Sequence, residues 1–344
     1  MSINDTGRPH YPLASSVTGR GPMKHTIPGS QRRQPLPEHR PKPSSEDPEA
    51  PARIAAITHD PSYREADQDS DFLRRADMRG VRLALDYEKP QHLLAELDVA
   101  HTIVVFGSTR IPEPETARRN CSELAAAFAG RPDDAALNER LAVARRIEAK
   151  SRYYDVAREF GRLVGLCGDR AIGGRVMVMT GGGPGIMEAA NRGAHDAGAR
   201  SIGLNITLPH EQYPNPYVTP GLCFSFHYFA MRKLHFLMRA RALVAFPGGY
   251  GTMDELFEVL TLAQSRKIDP VPVILVGEEY WRRVFDADFL VAEGTIDLED
   301  RELFWYAETA AEIWRDILVW YETRGTPLLE PGAIEEICGP PRAS

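Results

Sequence analysis

A chain of 344 residues, 43% of them hydrophobic, is long enough to bury a full core as one large or two small domains. Its formal net charge of −7 excludes a global basic field that would recruit nucleic acid, and no apolar run reaches the roughly 20 residues that cross a bilayer. Cys121, Cys167, Cys223 and Cys338 are scattered without a CxxC pair, which argues against a zinc site or a disulfide framework and fits a cytoplasmic protein.

Residues 1–66 are rich in Pro, Ser, Gln and charge and lack the apolar core of a secretory signal. Such a segment buries too little apolar surface to offset its ordering entropy, so a disordered tail is expected there. Phe72, Leu73, Ala76, Met78, Val81, Leu83 and Leu85, then Leu93, Leu94 and Leu97, predict a helical extension over 67–99. Strands and helices then alternate over 100–325. Strands are predicted at 102–106, 176–179, 201–206, 222–226, 242–246 and 271–276. The first, Thr102-Ile103-Val104-Val105-Phe106, reads as a parallel strand buried on both faces. Helices are predicted at 114–129, 138–167, 185–197, 228–240, 252–265, 280–292 and 308–322, with a C-terminal tail over 326–344. Alternating βα units with short connections specify an α/β fold, a doubly wound, Rossmann-like parallel sheet with helices on both faces. Such sheets bind ligands beyond the C-terminal ends of their strands.

Three loops fall at those ends. Gly107-Ser108-Thr109-Arg110 follows the first strand, and there Gly107 permits close backbone approach, Ser108 offers a hydroxyl and Arg110 a planar guanidinium for a phosphate. An ordinary βα turn with a surface arginine would look the same. Thr180-Gly181-Gly182-Gly183-Pro184-Gly185-Ile186-Met187-Glu188 follows the second strand. Its consecutive glycines permit a nest of backbone N–H groups at a helix start, although a tight packing turn needs no ligand either. The run is neither GxGxxG, since Glu188 stands where the third glycine belongs, nor a Walker loop, since no GK[ST] follows. A single phosphate suits it better than a dinucleotide or triphosphate.

The third loop, Pro247-Gly248-Gly249-Tyr250-Gly251-Thr252-Met253-Asp254-Glu255, joins the strand at 242–246 to the next helix. Backbone N–H groups and the helix dipole make such a junction an anion cradle. Thr252-x-x-Glu255 also fits a capping box, in which the threonine caps the helix and the glutamate reaches back. A cap alone leaves the cluster Gly248, Gly249 and Gly251 unexplained. Upstream, Arg232, His235, Phe236 and Arg239 share a helical face. That face is either a solvated basic stripe or, since its helix starts at the ligand end of the sheet, a source of cations for the crevice.

Together these residues resemble the LOG (Lonely Guy) family of cytokinin riboside 5′-monophosphate phosphoribohydrolases, formerly mislabelled lysine decarboxylases. Pro247–Glu255 matches the family's PGGxGTxxE signature in full, Arg232-Lys233 matches its upstream Arg-Lys pair, and Gly181–Gly185 resembles its glycine-rich loop. The resemblance covers about residues 100–325. Phe229-Ala230 stands where short plant-type members carry Met-His, and the Phe-x-x-Arg-Lys form looks more like the longer bacterial branch.

The resemblance implies hydrolysis of the N-glycosidic bond of a nucleoside 5′-monophosphate, AMP or a cytokinin riboside monophosphate, to free base and ribose 5-phosphate. It implies no cofactor and no metal, and a homodimer or larger homo-oligomer acting without nucleic acid or membrane. Glu255 and Arg232 are then the expected catalytic pair. Glu255 would stabilise an oxocarbenium-like ribosyl cation and activate water, and Arg232 would hold Glu255 ionised by its opposite charge. Gly182, Gly183, Gly249, Gly251 and Thr252 are expected at the 5′-phosphate. Gly107, Ser108, Arg110, Gly185, Glu188, Lys233 and Gly248 complete the expected substrate contacts. Two other classes remain open at this point: a non-catalytic nucleotide sensor or carrier with the same cradles, and a pyridoxal-phosphate enzyme using Lys233 as its Schiff-base lysine.

Overall fold

Seven strands pair into one parallel sheet in the computed structural model, which describes residues 39–208 and 213–330. They are β1 Val99–Phe106, β2 Arg175–Thr180, β3 Ser201–Ile206, β4 Cys223–Phe226, β5 Ala240–Ala245, β6 Val273–Val276 and β7 Trp305–Ala307, in the order β4-β3-β2-β1-β5-β6-β7. The helices are α1 Ala50–His59, α2 Ser70–Arg74, α3 Arg79–Glu96, α4 Pro114–Ala129, α5 Ala135–Lys150, α6 Arg152–Cys167, α7 Ile186–Asp196, α8 Phe229–Met238, α9 Tyr250–Gln264, α10 Glu278–Val284, α11 Ala287–Ala292 and α12 Ala310–Thr323. The chain divides between Asp69 and Ser70 into two units. The described part of the first holds α1; everything that follows belongs to the second.

Both faces of the central strands are buried because their alternate residues are apolar in both directions, whereas edge strand β4 exposes Cys223 and Ser225. Ile103, Val105, Val178 and Val244 pack with α6, α7 and α12, whereas Val104, Phe106, Met179 and Leu243 pack with α3, α8, α9 and α10. The doubly wound reading therefore holds. From β1 the chain winds outward through β2 and β3 to β4, then returns through α8 to place β5 on the other side of β1. The order reverses between β1 and β5, and a doubly wound sheet opens its ligand crevice at that reversal. All three glycine-bearing loops lie at C-terminal strand ends, after β1, β2 and β5.

Several expected boundaries are corrected. The helix expected over 138–167 is two helices broken at buried Ser151, whose hydroxyl bonds the Glu148 carbonyl at 2.7 Å. The one expected over 280–292 ends at Val284, because Asp286 caps a new helix by accepting from Asp288 N and Phe289 N. The extension expected as one helix carries a 3-10 turn at Ala76–Met78. Within the tail expected to be disordered over 1–66, Ala50–His59 is helical, with a proline in its first turn and Arg53 paired with Asp47 and Glu49; residues 1–38 of that tail lie outside the described residues. The tail expected from 326 packs at its start, with Leu328 and Leu329 buried and Ile172 N bonded to the Leu328 carbonyl at 2.9 Å. Residues 331–344 lie outside the described residues.

The α6–α7 contact shows what holds the layer beneath the crevice. A Cβ on Gly193 would overlap the Arg158 carbonyl oxygen, and one on Gly161 would overlap that of Ala190. The two backbones meet directly, with no room for a methyl. Gly193→Ala is therefore expected to destabilise the protein by about 3 kcal/mol through overpacking, as measured by urea unfolding; wild-type stability would contradict so tight a contact.

Candidate active site

Backbone hydrogen bonds fix the three loops to one another. Phe246 N donates to the Phe106 carbonyl at 2.8 Å, Ser108 N to the Pro247 carbonyl at 3.0 Å and Ile186 N to the Ser108 carbonyl at 3.2 Å. Glycine is required where they interleave. A Cβ on Gly107 would lie 2.6 Å from Ile186 Cγ2, and Gly185 holds φ +72 at the start of α7, a conformation that side chains rarely adopt.

A buried side-chain network supports the Gly181–Gly183 turn. Thr180 Oγ1 donates to Asn191 Oδ1 at 2.7 Å and accepts from Gly182 N at 2.9 Å. Asn215 N donates to the Gly182 carbonyl at 2.8 Å, and Asn215 Nδ2 reaches the Gly183 carbonyl at 3.0 Å and Asn191 Oδ1 at 2.9 Å. Asn191 Nδ2 completes the set on Ser201 Oγ at 3.0 Å. Thr180, Asn191, Ser201 and Asn215, the side chains of this network, were not among the expected site residues. The one signal available was a polar Asn191 on the apolar stripe of α7.

The third loop behaves differently. A Cβ on Gly248 would collide with Thr252 Oγ1, whereas one on Gly249 or Gly251 would meet nothing within 4 Å among the described residues. Packing therefore demands glycine at 248 and leaves open space over 249 and 251. Tyr250 between them is 92% exposed. The Tyr280 hydroxyl, donating to the Gly248 carbonyl, anchors the loop from α10. The capping box that Thr252-x-x-Glu255 could have formed is not made. α9 starts at Tyr250 with Gly249 as its cap residue, so Thr252 lies within the first turn and Glu255 is free of it.

Glu255 instead points at α8. It is 4% exposed, and its Oε1 lies 3.4 Å from Arg232 NH2. The guanidinium also lies over the rings of Phe229 and Phe236, at 5.0 and 5.5 Å. Its Nε is buried without an acceptor among the described residues. Lys233, next on α8, pairs with Asp254 at 2.8 Å and Glu258 at 3.1 Å, tying α8 to α9 a second time. The face considered as a solvated basic stripe is buried: His235 and Phe236 are fully enclosed, and Arg239 Nε donates to the Val99 carbonyl at 3.1 Å.

Burial dominates the electrostatics of the pair. It pushes the Glu255 carboxyl up from 4.5 to about 7, against the downward pull of Arg232 and Lys233, with Glu258 and Asp254 adding to the rise. Burial likewise lowers the Arg232 guanidinium, against the opposing pull of Glu255. Arg232 does pull Glu255 toward its ionised form, as expected, but burial outweighs that pull and the net shift is upward. Burial also works against the charge on Lys233, yet Asp254 and Glu258 hold it above its ordinary value.

Other expected residues are placed as follows. Ser108 Oγ accepts from Arg110 N at 3.0 Å. Arg110 is exposed and lines a cleft between α4 and α5 with Asn120 and Glu139. The Glu188 carboxylate accepts from the Tyr154 hydroxyl at 2.9 Å, beside an Arg192–Glu113 pair at 3.0 Å. Among the described residues, no group of three or more His, Cys, Asp or Glu is placed to hold a metal.

A family model described as "possible lysine decarboxylase" matches residues 187–317. The chain is similar to the cytokinin riboside 5′-monophosphate phosphoribohydrolase LOG3 of Arabidopsis thaliana, at 32% identity over 168 residues, covering 48% of this chain and 74% of the relative. It is similar at 33% to the LOG phosphoribohydrolase of Oryza sativa subsp. japonica, over 48% of this chain and 65% of that one. Among solved structures, the Moco carrier protein from Chlamydomonas reinhardtii aligns at 20% identity over 64% of this chain and 98% of that one, with a TM-score of 0.35, a likeness too slight to carry an argument.

Two measurements probe the site without a ligand. Asn191→Leu strands the buried partners Thr180, Ser201 and Asn215 and is expected to cost about 3 kcal/mol in urea unfolding; a neutral effect would show the network to be dispensable. The second concerns pH. Because Glu255 holds its proton up to about 7 in the folded protein against an ordinary 4.5, the folded state binds more protons than the unfolded chain between those values. Its contribution is fully present below 4.5 and lost as pH rises through about 7. Glu255→Gln removes this loss, so the wild type's stability relative to the variant is expected to fall as pH rises from 4.5 through about 7. A stability difference between wild type and variant that does not change over that range would contradict the raised carboxyl.

Proposed function

The chain belongs to the LOG family, and from that membership and the buried Arg232–Glu255 pair we propose that it hydrolyses the N-glycosidic bond of a nucleoside 5′-monophosphate to free base and ribose 5-phosphate. The observation that carries this reading is a carboxylate with a raised proton affinity, held 3.4 Å from an arginine at the start of α9 and beside open backbone at Gly249 and Gly251. A phosphate fits the amides of Gly183, Gly249 and Gly251 with the Thr252 hydroxyl, near the starts of α7 and α9 where both helix dipoles favour negative charge; the Gly182 amide, expected there too, is already taken by Thr180 Oγ1.

In the proposed reaction the C1′–N bond breaks as positive charge develops on the ribose, and ionised Glu255 faces that charge. Water adds to C1′, its proton passes to the Glu255 carboxylate, and the departing base takes up the balancing proton. A carboxyl poised near neutral pH both accepts that proton and returns it to solvent. Arg232 orients the carboxylate, and its unpaired Nε offers a donor to a substrate oxygen. Lys233 braces α8 against α9 in this reading. Its charged, doubly paired ammonium argues against a Schiff-base decarboxylase, which needs a neutral amine.

The proposal extends to AMP or a prenylated relative as substrate, to no cofactor, and to a cytoplasmic homodimer or larger homo-oligomer working without nucleic acid or membrane. A domain over 100–325 would carry the chemistry and 67–99 would act as its extension. Family membership and the net charge of −7 support it, and no described helix is long and apolar enough to cross a membrane.

The assay is base and ribose 5-phosphate release from a panel of nucleoside monophosphates, including AMP and a prenylated adenosine monophosphate. Glu255→Gln is expected to lower kcat by about 10³-fold while nucleotide affinity changes little. Binding by the wild type without release from any monophosphate would favour a sensor or carrier instead. Since ionised Glu255 is the working form, kcat/KM is expected to rise with pH to a plateau above about 7; activity falling over that range would reverse the carboxyl's role.

A further inference from the structure

Arg232 and Lys233 owe their places to α8, a helix whose cap residue, Tyr228, makes no capping side-chain bond of its own. The start of α8 is held from elsewhere. Asp86, in the middle of α3, accepts with a single carboxylate oxygen from His227 N and Tyr228 N, both at 2.8 Å. One turn earlier on α3, Arg82 Nε donates to the Tyr228 hydroxyl at 3.1 Å, while its NH1 is itself fixed by the carbonyls of Leu73 and Arg75. Tyr228 is thus gripped at backbone and side chain at once. Its carbonyl in turn accepts from Arg232 N at 3.3 Å, the first helical bond to the arginine.

A third contact follows. His235 Nε2 donates to the Tyr87 carbonyl at 3.0 Å, and burial keeps the enclosed imidazole's proton affinity below its ordinary value, so the contact is a neutral lock. α3 lies outside residues 187–317, the span of the family model.

We propose that Asp86 is a positioning residue: by holding the backbone at the start of α8, it sets the Arg232 guanidinium against Glu255. The proposal rests on the hydrolytic reading of that pair. Its physical basis is short. A carboxylate at a helix N-terminus is favoured by the dipole and satisfies a peptide N–H the helix leaves orphaned. Removing it frees the first turn, and Arg232 is on that turn. At 3.4 Å the Arg232–Glu255 contact is already long, so a small displacement breaks it.

The test compares Asp86→Ala, Asp86→Asn and Asp86→Glu with the wild type. Two readouts are used: kcat and KM for the monophosphate turned over best, and the titration midpoint of Glu255 from carbon-13 NMR of labelled glutamate. The charges facing Glu255 are Arg232 and Lys233 from α8, with Asp254 and Glu258 on its own helix. Asp86→Ala is expected to lower kcat by about 10- to 100-fold, as misplacement of a catalytic group does, and to move the Glu255 midpoint further up as Arg232 withdraws. Asn presents a carbonyl oxygen to the same two N–H groups and is expected to restore both readouts to near wild type. Should the alanine variant not fold, Asp86→Glu, which displaces the carboxylate by one methylene, is expected to move the midpoint in the same direction.

A folded Asp86→Ala, or failing that Asp86→Glu, with wild-type kcat and an unmoved midpoint overturns the proposal. So does an equal loss in Ala and Asn. If the wild type turns over no monophosphate, the hydrolytic reading falls by that result alone, and the Glu255 titration still decides whether Asp86 sets the pair.

Discussion

Two opposite charges held largely out of water are the constraint on which this structure turns. Moving Arg232 and Glu255 between α8 and α9 costs both of them hydration, and their contact at 3.4 Å does not fully return it. The carboxyl answers by holding its proton up to about 7. That poise is worth keeping only if neighbouring helices do not drift, since relaxation would let water in and return Glu255 to an ordinary acid. Hence the second tie through Lys233, the Tyr280 anchor on the Gly248 carbonyl and the grip of α3 on Tyr228.

The sheet supplies the frame. Strand order reverses between β1 and β5, so loops distant in sequence meet over one crevice and bond to each other through Ser108, Ile186 and Pro247. Glycines there divide into two kinds. Gly107, Gly185 and Gly248 are required by the protein's own packing, whereas Gly249 and Gly251 face open space. The second kind is the one a ligand would use.

How much of this was legible follows from the range of each interaction. β3 and α4 occupy the residues predicted for them, because their apolar patterns and a leading proline are local. The α/β winding and the three loops were legible for the same reason. Breaks at Ser151 and Asp286 were not, since helical periodicity runs through both sites. β7 is three residues, Trp305–Ala307, too short to show a period at all. Thr252-x-x-Glu255 matched a capping pattern that the chain does not use, because Gly249 starts the helix earlier and tertiary burial claims the glutamate. The Asn191–Asn215 network and the Asp86–Tyr228 bond join residues 24 and 142 positions apart. Nothing local announces such partners. The net rise in the proton affinity of Glu255 was not legible for a related reason, since the arginine beside it was visible and the burial that outweighs it was not.

The measurement that tests the central claim most directly is a crystal structure of Glu255→Gln with AMP bound. The account predicts the 5′-phosphate on the amides of Gly183, Gly249 and Gly251, with C1′ of the ribose facing residue 255 across a single water and Arg232 Nε on a substrate oxygen. A nucleotide whose phosphate occupies those amides but whose C1′ points away from α9, or one bound elsewhere on the sheet, would contradict it.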